Sequence, residues 1–190
     1  MARELFTNRL FLSLLMVMGF GVLTVSAHEG CAEESATDRN ERIAIATLLL
    51  RHHGVKTLDF HVSGVSDQAT ARQNLQQAAA GKHVKRSGYG NAPGGDTQLD
   101  LRMLRALLVL VYEGYEIRLT ELAGGSHSCN SRHYVGVGFD VDFLDGKKIK
   151  YGHPTYRRFL RRCRELGATE VLGPGDRGHS THLHVAWPRK

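Results

Sequence analysis

The chain has 190 residues, of which 42% are hydrophobic and 23% charged, and its formal net charge is +6. That length suits one domain with a single core and excludes a large multidomain assembly. The positive excess suits an anionic polymer, such as a cell wall, a nucleic acid or a lipid surface. Because the sequence has no basic stripe interleaved with aromatic residues, we do not expect nucleic acid to be the partner.

The first 27 residues have the features of a secretory signal peptide. Arg3 and Arg9 lead into an apolar run from Leu10 to Val25, and the small residues up to Ala27 suit cleavage by signal peptidase. The apolar run is shorter than the roughly 20 residues of a membrane-spanning helix, so cleavage is preferred to an uncleaved anchor. We therefore expect a secreted or periplasmic protein with no stable membrane span after processing.

Residues 28–96 are predicted to form a helical N-terminal lobe of the same domain. Apolar residues recur at helical spacing after Asp38, and Gly54 is expected to end this helix in a left-handed cap. The alternating residues 55–62 indicate a short strand.

A second helix is predicted from Asp67 to Ala80, with Ser66 as its N-cap and Gly81 at its end. Residues 82–95 collect glycine, serine, asparagine, proline and basic residues and therefore indicate a loop. We interpret the basic residues of this loop as a solvated face.

Residues 97–190 are predicted to form the core that carries the chemistry. Thr97 to Asp100 has the form of a capping box. The apolar residues that follow recur at helical spacing until Gly114, which predicts the central packing helix. An alternating strand is predicted next, over residues 115–122.

The remaining elements predict an antiparallel meander with one inserted helix. A basic helix is predicted from Pro154 to Leu166, ended by Gly167. Helices followed by an antiparallel sheet indicate the α+β class, with the sheet packed against the helices. The predicted strands are residues 135–144, 147–151, 169–172 and 181–187, with Asp145-Gly146 as a tight hairpin turn.

Histidine and carboxylate side chains in this part of the chain indicate a divalent metal site. Six of the eleven histidines lie after residue 126. Side chains two apart on a strand share a face, so His182 points the same way as His184, and Asp140 the same way as Asp142. With His133 from the turn before Asp140, the two strands can converge on one ion. Histidine, aspartate, histidine and an open position are typical of catalytic Zn²⁺.

Two motifs make this pattern specific. The residues from Ser131 to Asp140 follow S-x-H-x-x-G-x-G-x-D, and His182-Leu-His184 follows downstream. The two motifs resemble those of the zinc peptidases of bacterial cell walls related to D-alanyl-D-alanine carboxypeptidases, a group that includes lysostaphin-type enzymes and the hedgehog signalling domain. The likeness spans roughly residues 97–188, with Gly138 where the group usually has alanine.

The resemblance implies a fold, a ligand set and a reaction. The fold would be like that of hedgehog and the D-Ala-D-Ala carboxypeptidases, with His133, Asp140 and His184 binding Zn²⁺ and His182 as the catalytic histidine. The implied substrates are peptidoglycan peptides, hydrolysed at an amide bond by a carboxypeptidase or an endopeptidase. We expect a monomer.

The chain departs from the carboxypeptidases of the group at the general base. Those enzymes usually have an acidic residue three positions before the last ligand, where this chain has Thr181. We expect His182 to take the proton and then to stabilise the oxyanion or protonate the leaving amine. His179 and Glu121 are the alternative bases. Enzymes of the group often bind a substrate carboxylate through an arginine-bearing strand motif, and that motif is not recognisable in this sequence.

Three more residues could orient the ligating imidazoles, namely Ser131, Asp142 and His127. A surface carboxylate near a hairpin explains Asp142 equally well, and a structural role is the preferred interpretation of His127.

Three cysteines follow the predicted cleavage site: Cys31, Cys129 and Cys163. In an oxidising compartment they allow one disulfide in three possible pairings, with one thiol left over. We favour a disulfide between Cys129 and Cys163 over a role for Cys129 as a metal ligand.

An alternative function comes from a different class of protein. The chain could be a non-catalytic cell-wall-binding or signalling module that keeps zinc for structural reasons, since a fold does not determine a function. The missing acidic residue at position 181 keeps this alternative open, and zinc content together with release of peptidoglycan fragments would separate the two.

Overall fold

Four helices and eight strands make up residues 34–190, the part of the chain described by the computed structural model. The predicted signal peptide and Cys31 lie outside the described residues. The helices are α1 (Ala36–Arg51), α2 (Ala71–Ala79), α3 (Leu101–Tyr112) and α4 (Tyr156–Glu165). The strands are β1 (Val55–Thr57), β2 (Val84–Lys85), β3 (Asp96–Thr97), β4 (Ile117–Glu121), β5 (Gly138–Leu144), β6 (Lys147–Lys148), β7 (Glu170–Leu172) and β8 (Leu183–Ala186). A 3₁₀ turn over His133–Val135 precedes β5.

The larger sheet has the strand order β1-β4-β5-β8-β7, and the short β6 pairs with the end of β5. The pairings of β4, β5, β8 and β7 are antiparallel, whereas β1 runs parallel to β4. β2 and β3 form a separate two-stranded antiparallel sheet. The prediction of an α+β fold with an antiparallel sheet packed against helices is thereby confirmed in its coarse form, with β1 as a parallel addition.

The core lies between the helices and one face of the larger sheet. Helix α3 is central because Leu104, Leu107 and Leu110 recur on one face of it and are fully buried. Phe139 of β5 and Val185 of β8 are fully buried apolar side chains of the sheet. Since successive strand residues alternate between faces, polar residues of the same strands project from the opposite face.

The N-terminal elements pack onto the rest of the fold. Strand β1 extends the sheet at β4, and α1 packs against both α2 and α3. The buried Arg42 of α1 donates through Nε to the backbone oxygen of Leu99, at 2.7 Å, just before α3 begins. Within residues 34–190 we find no helix with the length and apolar character required to cross a membrane.

The N-caps of two helices differ from the predicted ones. Asp100 caps α3, and Thr97, the residue predicted to cap it, lies in β3. Thr70 caps α2, which therefore starts well after the predicted cap, Ser66. Thr97 pairs with Val84 in the small sheet, and Ser66 Oγ donates to the backbone oxygen of Asp59. Each helix therefore begins about one turn later than predicted.

Glycine stop signals were predicted correctly for three helices and wrongly for one. Gly81, Gly114 and Gly167, which follow α2, α3 and α4, have φ of 70°, 93° and 94°. Helix α1 instead ends at His52, which is extended, and Gly54 is not in the left-handed region. The predicted hairpin at Asp145-Gly146 is confirmed, because both residues have positive φ and join β5 to β6.

The predicted disulfide between Cys129 and Cys163 is wrong. Both thiols are free: Cys163 is buried on α4 and Cys129 is exposed in the loop after β4. Burial raises the pKa of the Cys163 thiol, so this side chain is an inert part of the core.

Candidate metal centre

Three side chains from different elements meet on the open face of the sheet. His133 comes from the turn before β5, and Asp140 of β5 is the cross-strand partner of His184 on β8. His133 Nε2 lies 3.1 Å from His184 Nδ1 and 3.2 Å from Asp140 Oδ1. His184 Nδ1 lies 2.8 Å from the same oxygen. The fold therefore brings together the three residues predicted as ligands, and all three are buried.

The turn that carries His133 depends on a glycine. Gly136 has a left-handed backbone with φ of 69°, and a Cβ atom there would lie 2.1 Å from the backbone oxygen of Gln98. The backbone nitrogen of Asp100 donates to the Gly136 oxygen, which ties the turn to the start of α3. Only glycine combines this conformation with such a close approach of two backbones.

The partners of the two imidazoles orient both rings towards Asp140. His133 Nδ1 lies 2.8 Å from the backbone oxygen of Leu122, which can only accept, so this nitrogen carries a hydrogen atom and Nε2 faces Asp140. His184 Nε2 lies at an ion-pair distance of 3.2 Å from a carboxylate oxygen of Glu170, and its Nδ1 faces Asp140. Partners of this kind orient the histidines of metal sites.

The three facing atoms can share a positive charge. Burial opposes a charge on His133, yet the nearby Asp140 raises the pKa of His133. Burial likewise opposes a charge on Asp140, but His133 and His184 hold the pKa of Asp140 well below its usual range. A shared proton or a divalent cation satisfies three acceptor atoms at this distance, and two imidazoles with one carboxylate suit a transition-metal ion.

His127 belongs to the same neighbourhood. With His133 and Asp140 it forms a group whose ligand atoms lie within 4.8 Å of one another and that could hold a metal ion. Its ring stacks on the ring of His133, with centroids 4.1 Å apart and planes 16° apart. The lone pairs of two stacked rings lie in parallel planes and do not point at a common ion. The rings of His133 and His184 are inclined by 63°, and their facing nitrogens lie 3.1 Å apart. The geometry therefore favours His184 as the third donor and places His127 beside the cluster.

His127 has a half-buried ring that lies beside the cluster. Burial and the neighbouring His133 lower the pKa of His127 to about 4, so its ring is neutral at pH 7. Its Nε2 atom lies 3.1 Å from the backbone oxygen of Gly124 and donates to it. The other ring nitrogen is left with a lone pair next to the cluster.

Two clefts adjoin the cluster from different sides. The first cleft, of about 290 Å³, contains Asp140 and His182. The second cleft, of about 330 Å³, contains His133, His184 and again His182. His127 also lines both. The candidate metal site is therefore open to molecules from outside although its ligand atoms are buried.

His182 stands at the edge of the cluster, immediately before β8. Burial lowers the pKa of His182, so the ring is neutral at pH 7. His179 lies beside it, with ring centroids 4.9 Å apart, and lines the second cleft. Thr181 lines the first cleft and brings no carboxylate to it.

The other two predicted site residues have separate roles. Ser131 Oγ accepts from the backbone nitrogen of His133 at 3.2 Å, so it holds the turn rather than the imidazole. Asp142 lines the first cleft and pairs with Arg118, whose Nε lies 2.8 Å from Oδ1. The carboxylate of Asp142 is thereby held at the cleft by an ion pair.

In a second group of polar residues, the sequence named Glu121 as an alternative base but gave no sign of its partners His61 and Asp67. The buried His61 has Nδ1 at 2.8 and 2.9 Å from the two carboxylate oxygens of Glu121, and Nε2 at 2.8 Å from Asp67. Burial opposes a charge on His61, but the two carboxylates raise its pKa. Burial raises the pKa of Glu121 although His61 acts against it. His61 and Glu121 are 60 positions apart, so no local spacing signals the contact.

No protein-family model matches the chain, and no curated protein and no solved structure matches it either.

Proposed function

We propose that the chain is a zinc-dependent hydrolase that cleaves an amide bond in peptidoglycan peptides, as a carboxypeptidase or an endopeptidase. The observation that carries the proposal is the convergence of His133, Asp140 and His184, whose free acceptor atoms lie within 3.2 Å of one another. Three protein donors leave one position of a tetrahedral ion open, which is the pattern of catalytic rather than structural zinc.

The donor set favours Zn²⁺ over the hard cations Mg²⁺ and Ca²⁺, which prefer oxygen ligands. The Leu122 oxygen holds His133 in the tautomer that a bound ion needs, and a carboxylate oxygen of Glu170 lies 3.2 Å from Nε2 of His184. A zinc ion in this position would supply Lewis-acid chemistry, making water more acidic and polarising a carbonyl group.

The substrate class rests on the resemblance and on the predicted export of the chain. The motifs from Ser131 to Asp140 and from His182 to His184 resemble those of cell-wall zinc peptidases, and a secreted protein meets wall polymers. The first cleft suits a short peptide with methyl groups and a carboxylate, because it has Val62 on its rim, 68% exposed, and the amine of Lys148 in its lining.

His182 is the proposed proton-transfer residue at the edge of the cluster. A neutral imidazole has one nitrogen that accepts a proton and one that donates a hydrogen bond. Both functions are useful beside a carbonyl under attack, where the oxygen gains negative charge. The Thr181 hydroxyl can donate a hydrogen bond but does not take up a proton at neutral pH, so the position that is acidic in the carboxypeptidases of the group does not contribute a base.

The alternative is a wall-binding or signalling module that holds the ion without catalysis. It is supported by the threonine at position 181, since a metal site without an acidic base three residues before the last ligand need not turn over. The ligand set would be the same in both cases, so metal content alone does not distinguish them.

The test is mass spectrometry of muropeptides incubated with the zinc-loaded protein, with and without 1,10-phenanthroline. We expect hydrolysed fragments with the protein alone and none with the chelator or with His184→Ala. Stoichiometric zinc without new fragments would favour the module. Absence of zinc after loading would contradict both functions.

A further inference from the structure

Three ionisable side chains outside the metal cluster, Glu121, His61 and Asp67, contact one another in sequence, and Glu121 lines the first cleft. Glu121 lines that cleft together with Asp140 and is only 5% exposed. Both of its carboxylate oxygens face Nδ1 of His61, at 2.8 and 2.9 Å. Nε2 of His61 faces Asp67, whose Oδ1 also accepts from the backbone nitrogen of Ala69 at 2.7 Å. His61 itself is 1% exposed, so the arrangement is fixed at its centre.

A β-bulge turns Glu121 towards the metal cluster. Leu119 pairs with Val141, but Glu121, two residues further, pairs with Asp140, only one residue further along β5. Thr120 is the extra residue. Strict alternation would have placed Glu121 on the core face with Leu119, whereas the bulge places it on the face of its cross-strand partner Asp140. Bulges next to active sites commonly redirect a side chain in this way.

The two glycines that follow β4 allow the side chains to come together. A Cβ on Gly124 would lie 2.7 Å from Cε1 of His61 and 2.1 Å from the backbone oxygen of Ala69. A Cβ on Gly125 would lie 2.9 Å from Nε2 of His127 and 3.0 Å from Cδ of Glu121. Gly125 also has φ of 79°. The glycine pair thus makes room for both the histidine chain and the neighbours of the metal cluster.

Stability alone does not account for this arrangement. Removing a carboxylate and an imidazole from water costs several kcal/mol per ion, and well-packed apolar residues of similar size are often as stable or more so. Here the charged residues lie at a cleft that also contains a metal-ligating carboxylate. A function at the cleft is the simplest reason for them.

We propose that Glu121 is a catalytic residue that accepts the proton of the attacking water, and that His61 and Asp67 are positioning residues that hold its carboxylate towards the cleft. This inference rests on the proposed function. It supplies the carboxylate base that Thr181 cannot provide, and it changes the role of His182 from proton transfer to donation of a hydrogen bond to the carbonyl oxygen.

These residues account for every proton that moves in the reaction. The water oxygen forms a bond to the carbonyl carbon while one of its O–H bonds breaks, and that proton moves to Glu121. The carbon–nitrogen bond then breaks with its electron pair going to nitrogen. Glu121 returns the proton to that nitrogen, so one water is consumed and the carboxylate is regenerated.

The experiment compares wild type, Glu121→Gln, His61→Gln and the double variant, with Glu116→Gln and His53→Gln as exposed controls. Each protein is loaded with zinc and tested for zinc affinity, for thermal unfolding, for kcat and KM on muropeptides, and for binding of acetohydroxamic acid. A hydroxamate binds zinc and can give its proton to a neighbouring base, so it reports on Glu121 without turnover.

We expect Glu121→Gln to keep its zinc and lower kcat by roughly 10²–10⁴-fold with a smaller change in KM. We expect it to bind acetohydroxamic acid at least about tenfold more weakly than wild type does. His61→Gln should lower kcat less, and the double variant should be no worse than Glu121→Gln, because His61 acts through Glu121.

Three results would overturn the inference. One is a zinc-loaded Glu121→Gln variant with unchanged kcat and unchanged acetohydroxamate affinity. Another is a further loss of kcat when His61→Gln is added to Glu121→Gln. The third is failure of the wild type to bind zinc. Zinc binding without muropeptide cleavage would overturn the proposed substrate only, and the acetohydroxamate comparison would still decide the role of Glu121.

Discussion

Nε2 of His133 and Nδ1 of His184 lie 3.1 Å apart, and His133 donates from its other ring nitrogen to the backbone oxygen of Leu122. A shared proton or a metal ion holds two ring nitrogens at such a distance. The Oδ1 atom of Asp140, at 3.2 and 2.8 Å from the two nitrogens, adds a third acceptor. The close approach of the two histidines and Asp140 is therefore the geometric basis of the proposed cation site.

Removing one of these donors should remove the ion. We expect His184→Ala to lose stoichiometric zinc and muropeptide hydrolysis together, because two protein donors do not hold zinc tightly. Zinc content of the purified variants, measured by plasma mass spectrometry, checks this, with the exposed His53→Ala as the control. A His184→Ala protein that still binds one zinc ion would exclude His184 from the ligand set.

Glu170 should control the affinity of the site without touching the ion. A carboxylate oxygen of Glu170 lies 3.2 Å from Nε2 of His184, the ring nitrogen that does not face Asp140. We expect Glu170→Gln to weaken zinc binding by roughly 10–100-fold, the usual effect of removing such a partner. Competition with a chromophoric chelator measures the affinity, and the exposed Glu165→Gln is the matched control. Equal affinities for the two variants would show that Glu170 does not orient the ring.

Gly136 should be one of the least replaceable residues of the fold. Alanine there would adopt φ of 69° and place its Cβ 2.1 Å from the Gln98 oxygen. We expect Gly136→Ala to lower the free energy of unfolding by roughly 2–4 kcal/mol. Chemical denaturation checks this against Gly138→Ala, where the nearest atoms are 3.3 Å away and the change should stay within about 1 kcal/mol. Equal losses would contradict the explanation.

Asp100 should contribute to stability in a manner that depends on pH. Burial raises the pKa of Asp100, but hydrogen bonds from Arg102 outweigh it and leave the pKa below its usual value. A carboxylate with a lowered folded-state pKa stabilises the fold above its unfolded-state pKa, and the contribution is lost as the pH falls through the folded value. We therefore expect Asp100→Asn, which keeps an N-cap, to show a weaker loss of stability between about pH 5 and 2.

The comparison for Asp100 is Asp100→Ala, which removes the cap as well. At pH 7 it should lose about 1 kcal/mol more of its unfolding free energy than Asp100→Asn. Urea unfolding at several pH values measures both effects. An acid dependence in Asp100→Asn as steep as that of wild type would show that another carboxylate is responsible.

Much of the fold could be predicted because it follows from local patterns. The leucines of α3 recur on one face, Gly114 and Gly167 stop their helices, and Asp145-Gly146 forms the hairpin, all as the sequence indicates. The close approach of His133, Asp140 and His184 could be predicted too, from strand periodicity for Asp140 and His184 and from the motif that begins at Ser131 for His133.

What could not be predicted depends on contacts between distant parts of the chain. Strict alternation places Glu121 on the core face, and only the bulge at Thr120 turns it to the cleft. His61 reaches Glu121 because the loop after β1 folds over the sheet, a packing that no short motif encodes. The expected disulfide failed for the same reason, since the loop after β4 leaves Cys129 exposed while α4 buries Cys163.

The most direct test of the metal centre is anomalous diffraction from crystals of the zinc-loaded protein, recorded on both sides of the zinc absorption edge. We expect one strong peak that appears only above the edge, bonded to Nε2 of His133, Nδ1 of His184 and a carboxylate oxygen of Asp140. Metal–ligand distances should be about 2.0–2.2 Å. A protein with no peak among these three side chains, or with zinc bound only elsewhere, would contradict the account.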